Sequence, residues 1–131
     1  MSVPIRVRSG GWRWVYYKTD SGRAPVREFI DGQAPRVKEK IFADLVRLRQ
    51  FNVKLGPPYV KKVAGRDFWE LRTKVGGDIY RTFYFAHTGK KFVLLHAYQK
   101  KSQKAPIKEL DIAEERMSDY LQRSEKAKRR R

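Results

Sequence analysis

Residues 70–104 concentrate side chains able to grip phosphate. Glu70, Arg72, Arg81, His96, Tyr98, Lys100, Lys101 and Lys104 put two guanidiniums, three ammoniums, an imidazole, a phenol and one carboxylate into three short runs. A guanidinium holds phosphate oxygens through paired hydrogen bonds and stays charged. Lysines add point charges, and an aromatic ring among them offers a base a stacking surface. The chemistry these types point to is contact with a nucleic-acid backbone. Plainer readings stand beside it. Arg81 can snorkel or pair with Glu70 across strands, His96 can be a packing residue, and the lysine run "YQKKSQKAP" (98–106) can be a solvated loop.

The whole-chain balance favours the polyanion. The 131 residues carry 31 Lys+Arg against 14 Asp+Glu, a formal charge of +17, and that self-repulsion asks for an anionic partner. An apolar fraction of 40% is enough for a real core in a single domain spanning 1–131, with its body at about 12–122. There is no cysteine, hence no disulfide and no thiolate metal site. His87 and His96 form no spaced ligand set with carboxylates, so no metal and no other cofactor is expected. No run is long enough to span a bilayer and no basic amphipathic helix has a clean apolar face, so no membrane partner is expected. The N-terminus "MSVPIRVRSGG" lacks the apolar stretch of a signal peptide, and the expected location is cytoplasmic.

Periodicity supplies the elements that must position these groups. "WRWVYY" (12–17) reads as a strand and "APVREFID" as a short helix with Pro25 in its first turn. A second helix is expected from near Pro35 to about Gln50, with Val37, Ile41, Leu45 and Leu48 on one face, widened by Phe42 and Val46. "NVKLGPPYVKKVAG" reads as a connection punctuated by Pro and Gly. "RDFWELRTK", "IYRTFYFAH" and "KFVLLHAYQ" follow as strands, joined by the short turns "VGGD" and "TGK" into an antiparallel meander. The last helix begins near Pro106, with Leu110, Ala113, Met117, Tyr120 and Leu121 as its apolar stripe. The tail 124–131 is expected to be a mobile basic arm. The order is βααβββα, an α+β domain.

Alternation sorts each strand but not the sheet. Trp69 and Leu71 share a face, expected to be core, opposite Phe68, Glu70, Arg72 and Lys74. Arg81 goes with Ile79, Phe83 and Phe85, and His96 with Tyr98 and Lys100, opposite Ala97, Gln99 and Lys101. Alternation cannot by itself bring all the basic and aromatic groups to one face.

"FWELRTKVGGDIYRTFYF", then "FVLLHAYQKKSQKAP", then a helix with "IAEERMSDY", resembles the RelE/HigB superfamily of bacterial toxins, in particular its phage-related HigB-like branch. "RWVYYKTDSGRAPVREFI" resembles that branch's usual opening, and the likeness covers about residues 12–122. The resemblance implies a RelE-like small antiparallel sheet with two N-terminal helices and a C-terminal helix. It implies the toxin of a type II toxin–antitoxin system, an endoribonuclease (mRNA interferase) that cleaves mRNA on the ribosome without a metal and so inhibits translation. It further implies a cognate antitoxin of helix-turn-helix type, contacts with rRNA and a higher-order toxin–antitoxin complex. Carried over by motif, Arg81 is the catalytic arginine, Glu70 and Arg72 are the E-L-R pair, and Lys100, Lys101 and Lys104 form the RNA-binding cluster. Tyr98 stands where phenylalanine is usual, a conservative exchange for stacking. Glu70 and His96 are the candidates for the base. The alternative is a non-catalytic member acting by binding, as a ParE-like gyrase inhibitor or a basic nucleic-acid-binding module.

Overall fold

Prolines open both N-terminal helices, in the first turn where a missing N–H leaves no bond unmade. The computed structural model describes residues 11–100 and 105–130. Its elements are β1 (Arg13–Tyr16), α1 (Pro25–Asp31), α2 (Pro35–Phe51), β2 (Val60–Lys62), β3 (Trp69–Val75), β4 (Asp78–His87), β5 (Lys91–Lys100) and α3 (Ile107–Arg129). The fold is α+β, with three helices around a five-stranded sheet in the order β1-β5-β4-β3-β2.

The meander β3-β4-β5 is antiparallel, as its short turns require. Val75 pairs with Asp78 around Gly76, which holds φ +59, and His87 pairs with Lys91 around Gly89, which holds φ +84. Two features depart from an all-antiparallel sheet. β1 adds to β5 in parallel, Trp14 opposite Phe92 and Tyr16 opposite Leu94, because α1 and α2 lie between β1 and the meander and carry the chain back before β5 forms. β2 forms inside the segment expected to be a connection. Its three residues pair with Trp69–Leu71 and extend β3's outer edge only that far.

Both faces of the sheet are covered. On one, Val26, Ile30, Val37, Ile41, Leu45 and Leu48 of α1 and α2 pack on Leu71, Tyr80, Tyr84, Phe92, Leu94 and Ala97. On the other, Ala113 of α3, flanked by Leu110, Met117 and Tyr120, packs on Phe68, Phe83, Phe85, Val93 and Leu95. Two expected core positions move outward. Trp69, paired with Lys62 at the start of β3, is 40% exposed beside Asn52 and Val53, where α2 has ended, and Leu121 is 37% exposed. Residues 124–129, expected beyond the last helix, continue α3.

Candidate functional site

The meander sets the site residues in rows. Arg72, Arg81 and Tyr98 lie opposite one another across β3, β4 and β5, and Glu70, Phe83 and His96 form the adjacent row. Side chains paired across strands point to the same face, so both rows face α3. A bulge makes this so. Tyr84 pairs with Leu94 but Phe83 pairs with His96, leaving Leu95 as the extra residue of β5. Unbulged alternation would turn His96, Tyr98 and Lys100 away from Val93 and Leu95. The extra residue lets Leu95 face α3 and then returns His96, Tyr98 and Lys100 to that same side.

The result is a cleft of about 470 Å³ between the sheet and the first turn of α3. Glu70, Arg72 and Arg81 line it from the sheet, Lys61, Lys62 and Lys100 add ammoniums, and Val63, Ala64, Ala105 and Leu110 supply apolar wall. At its base Arg81 Nη1 donates to Glu70 Oε1 at 2.8 Å, with Glu70 4% and Arg81 7% exposed. Arg72 Nε stands 3.7 Å from Glu70 Oε2. Glu70 Oε2 and Arg72 Nε are both buried and make no hydrogen bond with the described residues. A buried carboxylate oxygen and a buried guanidinium N–H left unmatched are costly, and an incoming hydroxyl and phosphate oxygen would satisfy both.

Lys100 ends β5 opposite Ile79, at the cleft mouth. Partial burial, and then the charges of Arg81 and Arg72, hold its ammonium below the ordinary lysine value, so it gives up a proton more readily than a free lysine. Tyr98 lies beside Arg81 but does not line the cleft. Burial raises its phenol above the ordinary value, against the opposing charge of Arg81. Lys101 and Lys104 lie outside the described residues.

His96 is placed differently from the rest. Its Nε2 meets Glu109 Oε2 at 2.9 Å and its Nδ1 meets Arg116 Nη1 at 3.2 Å, both partners on α3. An arginine can only donate, so Nδ1 accepts, and Nε2 carries the proton that goes to Glu109. Burial keeps this imidazole below its ordinary pKa, against the pull of Glu109 and with the help of Arg116. Both ring nitrogens are engaged in docking α3, and His96 lines no part of the cleft. Arg116 also donates to Leu95 O at 2.9 Å, so the bulge residue itself anchors the helix. Arg66, in the β2–β3 loop, holds α3 from the other side through Asp111 at 2.9 Å and Glu114 at 3.0 Å.

Sequence reasoning missed Lys61, Lys62, Glu109 and Arg116. The first two stood in plain view as "VKK", hidden only by the reading of that segment as a connection. Glu109 and Arg116 carried no signal, since their partner lies in another element. Among the described residues no group of His, Cys, Asp or Glu is placed to hold a metal ion, and no helix is long and apolar enough to cross a membrane.

Residues 28–118 match the family model described as Phage derived protein Gp49-like (DUF891), a span holding every described residue of the cleft. A comparison with curated proteins gives no match.

Proposed function

The chain belongs to the phage-derived Gp49-like family, a toxin-like family, and on that footing we propose that it is the toxin of a type II toxin–antitoxin pair of the HigB-like branch, an endoribonuclease that cuts mRNA on the ribosome. The observation that carries the reading is the Glu70–Arg81–Arg72 cluster, buried at the base of a cleft whose rim is lysine.

In this reading Glu70 Oε2 takes the proton of an RNA 2′-hydroxyl, and the O2′ forms a bond to the adjacent phosphorus. Arg81 and Arg72 hold the phosphate oxygens as charge builds on the phosphorane, a contribution of about 2.7–4 kcal/mol for one well-placed donor. Lys100 gives a proton to the departing O5′ as the P–O5′ bond breaks. The products are a 2′,3′-cyclic phosphate and a 5′-hydroxyl. Lys61, Lys62 and Lys100, with Lys101 and Lys104, bind flanking backbone. Tyr98 backs Arg81, and His96 acts by positioning α3. The partners are ribosome-bound mRNA, with rRNA beside it, and a helix-turn-helix antitoxin that joins the toxin in a higher-order complex.

One observation favours a second reading, in which the cleft binds without cutting: Glu70 Oε1 is committed to Arg81, and both His96 nitrogens are committed to α3. Brief induction without an antitoxin separates the two. New mRNA 5′ ends, and amino-acid incorporation falling before DNA synthesis, support the nuclease. DNA synthesis failing first with no new mRNA ends supports a ParE-like action on gyrase and overturns the proposal.

A further inference from the structure

Past the end of α2, beside the single turn Asn52–Lys54, lies an apolar hollow of about 90 Å³. Val60, Tyr84 and Phe92 are buried at its base, and Val53, Trp69 and Ala86 are exposed at its mouth. Val53 is 72% exposed, and Phe51, next in sequence to the lining residue Asn52, is 47% exposed. Large apolar side chains gathered at the surface around a hollow mark a contact for another molecule. The base residues belong to the core under α1 and α2, so this hollow opens on the face of the sheet opposite the α3 cleft.

Its rim is basic. The Arg49 guanidinium stands 5.1 Å over the ring of Trp14, which pairs with Phe92. Lys54 is exposed and makes no ion pair among the described residues. The stretch from Leu45 to Arg66, which supplies Val53 and Val60, holds six cations and no acid, and Asp67 is the first acid after it.

Size and charge together choose the occupant. A dry cavity of about 150 Å³ admits benzene, so this smaller one suits a single aliphatic side chain. The chain's own residues 1–10 carry Arg6 and Arg8 and no acid, and a second copy would bring a charge of +17. Like charges across an interface are costly. RNA has the right charge but no aliphatic group to seat.

We propose that the hollow docks an acidic segment of the antitoxin, which seats one aliphatic side chain among Val53, Trp69 and Phe92 and lays carboxylates on Arg49 and Lys54. Because the hollow is on the far face of the sheet, the antitoxin is held here without filling the RNA cleft. The antitoxin as source rests on the toxin reading above.

Two labelled acidic peptides of glutamate and serine test it, alike except for one central leucine or alanine. The leucine peptide is expected to bind the full chain about tenfold more tightly, the effect of one mostly buried aliphatic side chain. It is expected to stay bound when a 2′-O-methyl RNA octanucleotide is added. Ala86→Leu, which fills the hollow from its exposed side and changes no charge, is expected to erase the leucine preference and weaken binding of the co-encoded antitoxin about tenfold. Val53→Ser, at an exposed position, is expected to act in the same direction with urea unfolding unchanged. Lys54→Ala is expected to keep the preference but bind both peptides more weakly and with less dependence on salt.

Equal binding of the two peptides marks only a diffuse field and overturns the docking site. A leucine preference that survives both Ala86→Leu and Val53→Ser overturns it too, as does displacement by the octanucleotide, which puts the peptide in the cleft. Tighter peptide binding by the full-length Ile5→Ser/Val7→Ser variant gives the hollow to the chain's own N-terminal segment. A dimer lost in Ala86→Leu gives it to a second copy, and weaker octanucleotide binding in Ala86→Leu gives it to RNA; each of these overturns the proposal. Normal antitoxin binding by Ala86→Leu, with the peptides behaving as expected, removes the antitoxin as occupant. If no co-encoded partner exists, it is the toxin reading that fails.

Discussion

Arg81 donates to Glu70 across 2.8 Å in a nearly closed environment, so these two residues hold the sheet together and face the cleft at once. Removing either partner strands the other. Arg81→Ala or Glu70→Ala is expected to cost about 3–5 kcal/mol of stability, and cleavage is lost in both. A Glu70→Gln/Arg81→Met double variant, which removes the buried pair together and leaves only the partly buried Arg72 charge, is expected to regain part of that stability by urea unfolding and none of the activity. Recovery of cleavage in the double variant would move the chemistry elsewhere.

In the proposed reaction Lys100 combines a backbone contact with proton donation, and two substitutions separate them. Lys100→Arg keeps the charge, so the salt slope of RNA binding stays, but the donor is lost and the cleavage rate falls about 10²-fold. Lys100→Ala lowers the rate and also flattens the slope by about 0.7. Because burial and the Arg81 and Arg72 charges depress its pKa, the donating form disappears as pH rises through that lowered value. The alkaline fall in rate is expected to begin at lower pH than an ordinary lysine would give, and to be absent in Lys100→Arg.

His96 ties stability to pH. Its folded-state pKa is depressed, first by burial, so the unfolded chain takes up the proton more readily. The stability it contributes is present above the unfolded value of about 6.5 and is lost as pH falls through the lower folded value. A protonated ring turns an N–H toward Arg116, which undocks α3. His87 is depressed in the same direction, mainly by burial, with Lys91 and Lys128 adding to it. The comparison is therefore made in a His87→Gln background. There, His96→Gln is expected to flatten the loss of stability between neutral and mildly acid pH in thermal melts, and an unchanged slope counts against this role.

Ala113 is fully buried where α3 meets Phe68, Phe83 and Phe85. No space remains for a larger side chain, so Ala113→Leu is expected to cost about 1–3 kcal/mol. The damage falls on the packing of α3, and RNA affinity drops with it because α3 walls the cleft. Urea unfolding with a parallel binding titration checks both. A stable Ala113→Leu with normal binding would show that α3 packs more loosely than its burial indicates.

Local pattern alone determined the elements whose energetics are local. α2 announces itself through Pro35 and the spacing of Val37, Ile41, Leu45 and Leu48, and the meander through two glycine turns that leave only hairpins open to the strands they join. Glu70, Arg72 and Arg81 were legible as a group because neighbouring strands of a meander bring nearby sequence together. Tertiary structure alone decided what rests on pairing between distant segments. β2 is three residues long and exists because β3 offers an edge, and β1 joins β5 in parallel because two helices intervene. The bulge at Leu95 puts His96, Tyr98 and Lys100 on the face of Arg81, and no periodicity within β5 signals it, since the irregularity is defined only against β4. His96 acquires its partners from α3, where nothing in the local sequence around Glu109 and Arg116 points to a partner in β5. A side chain's type is written in the sequence, but whether it meets solvent, substrate or a counter-ion depends on which other element packs against it.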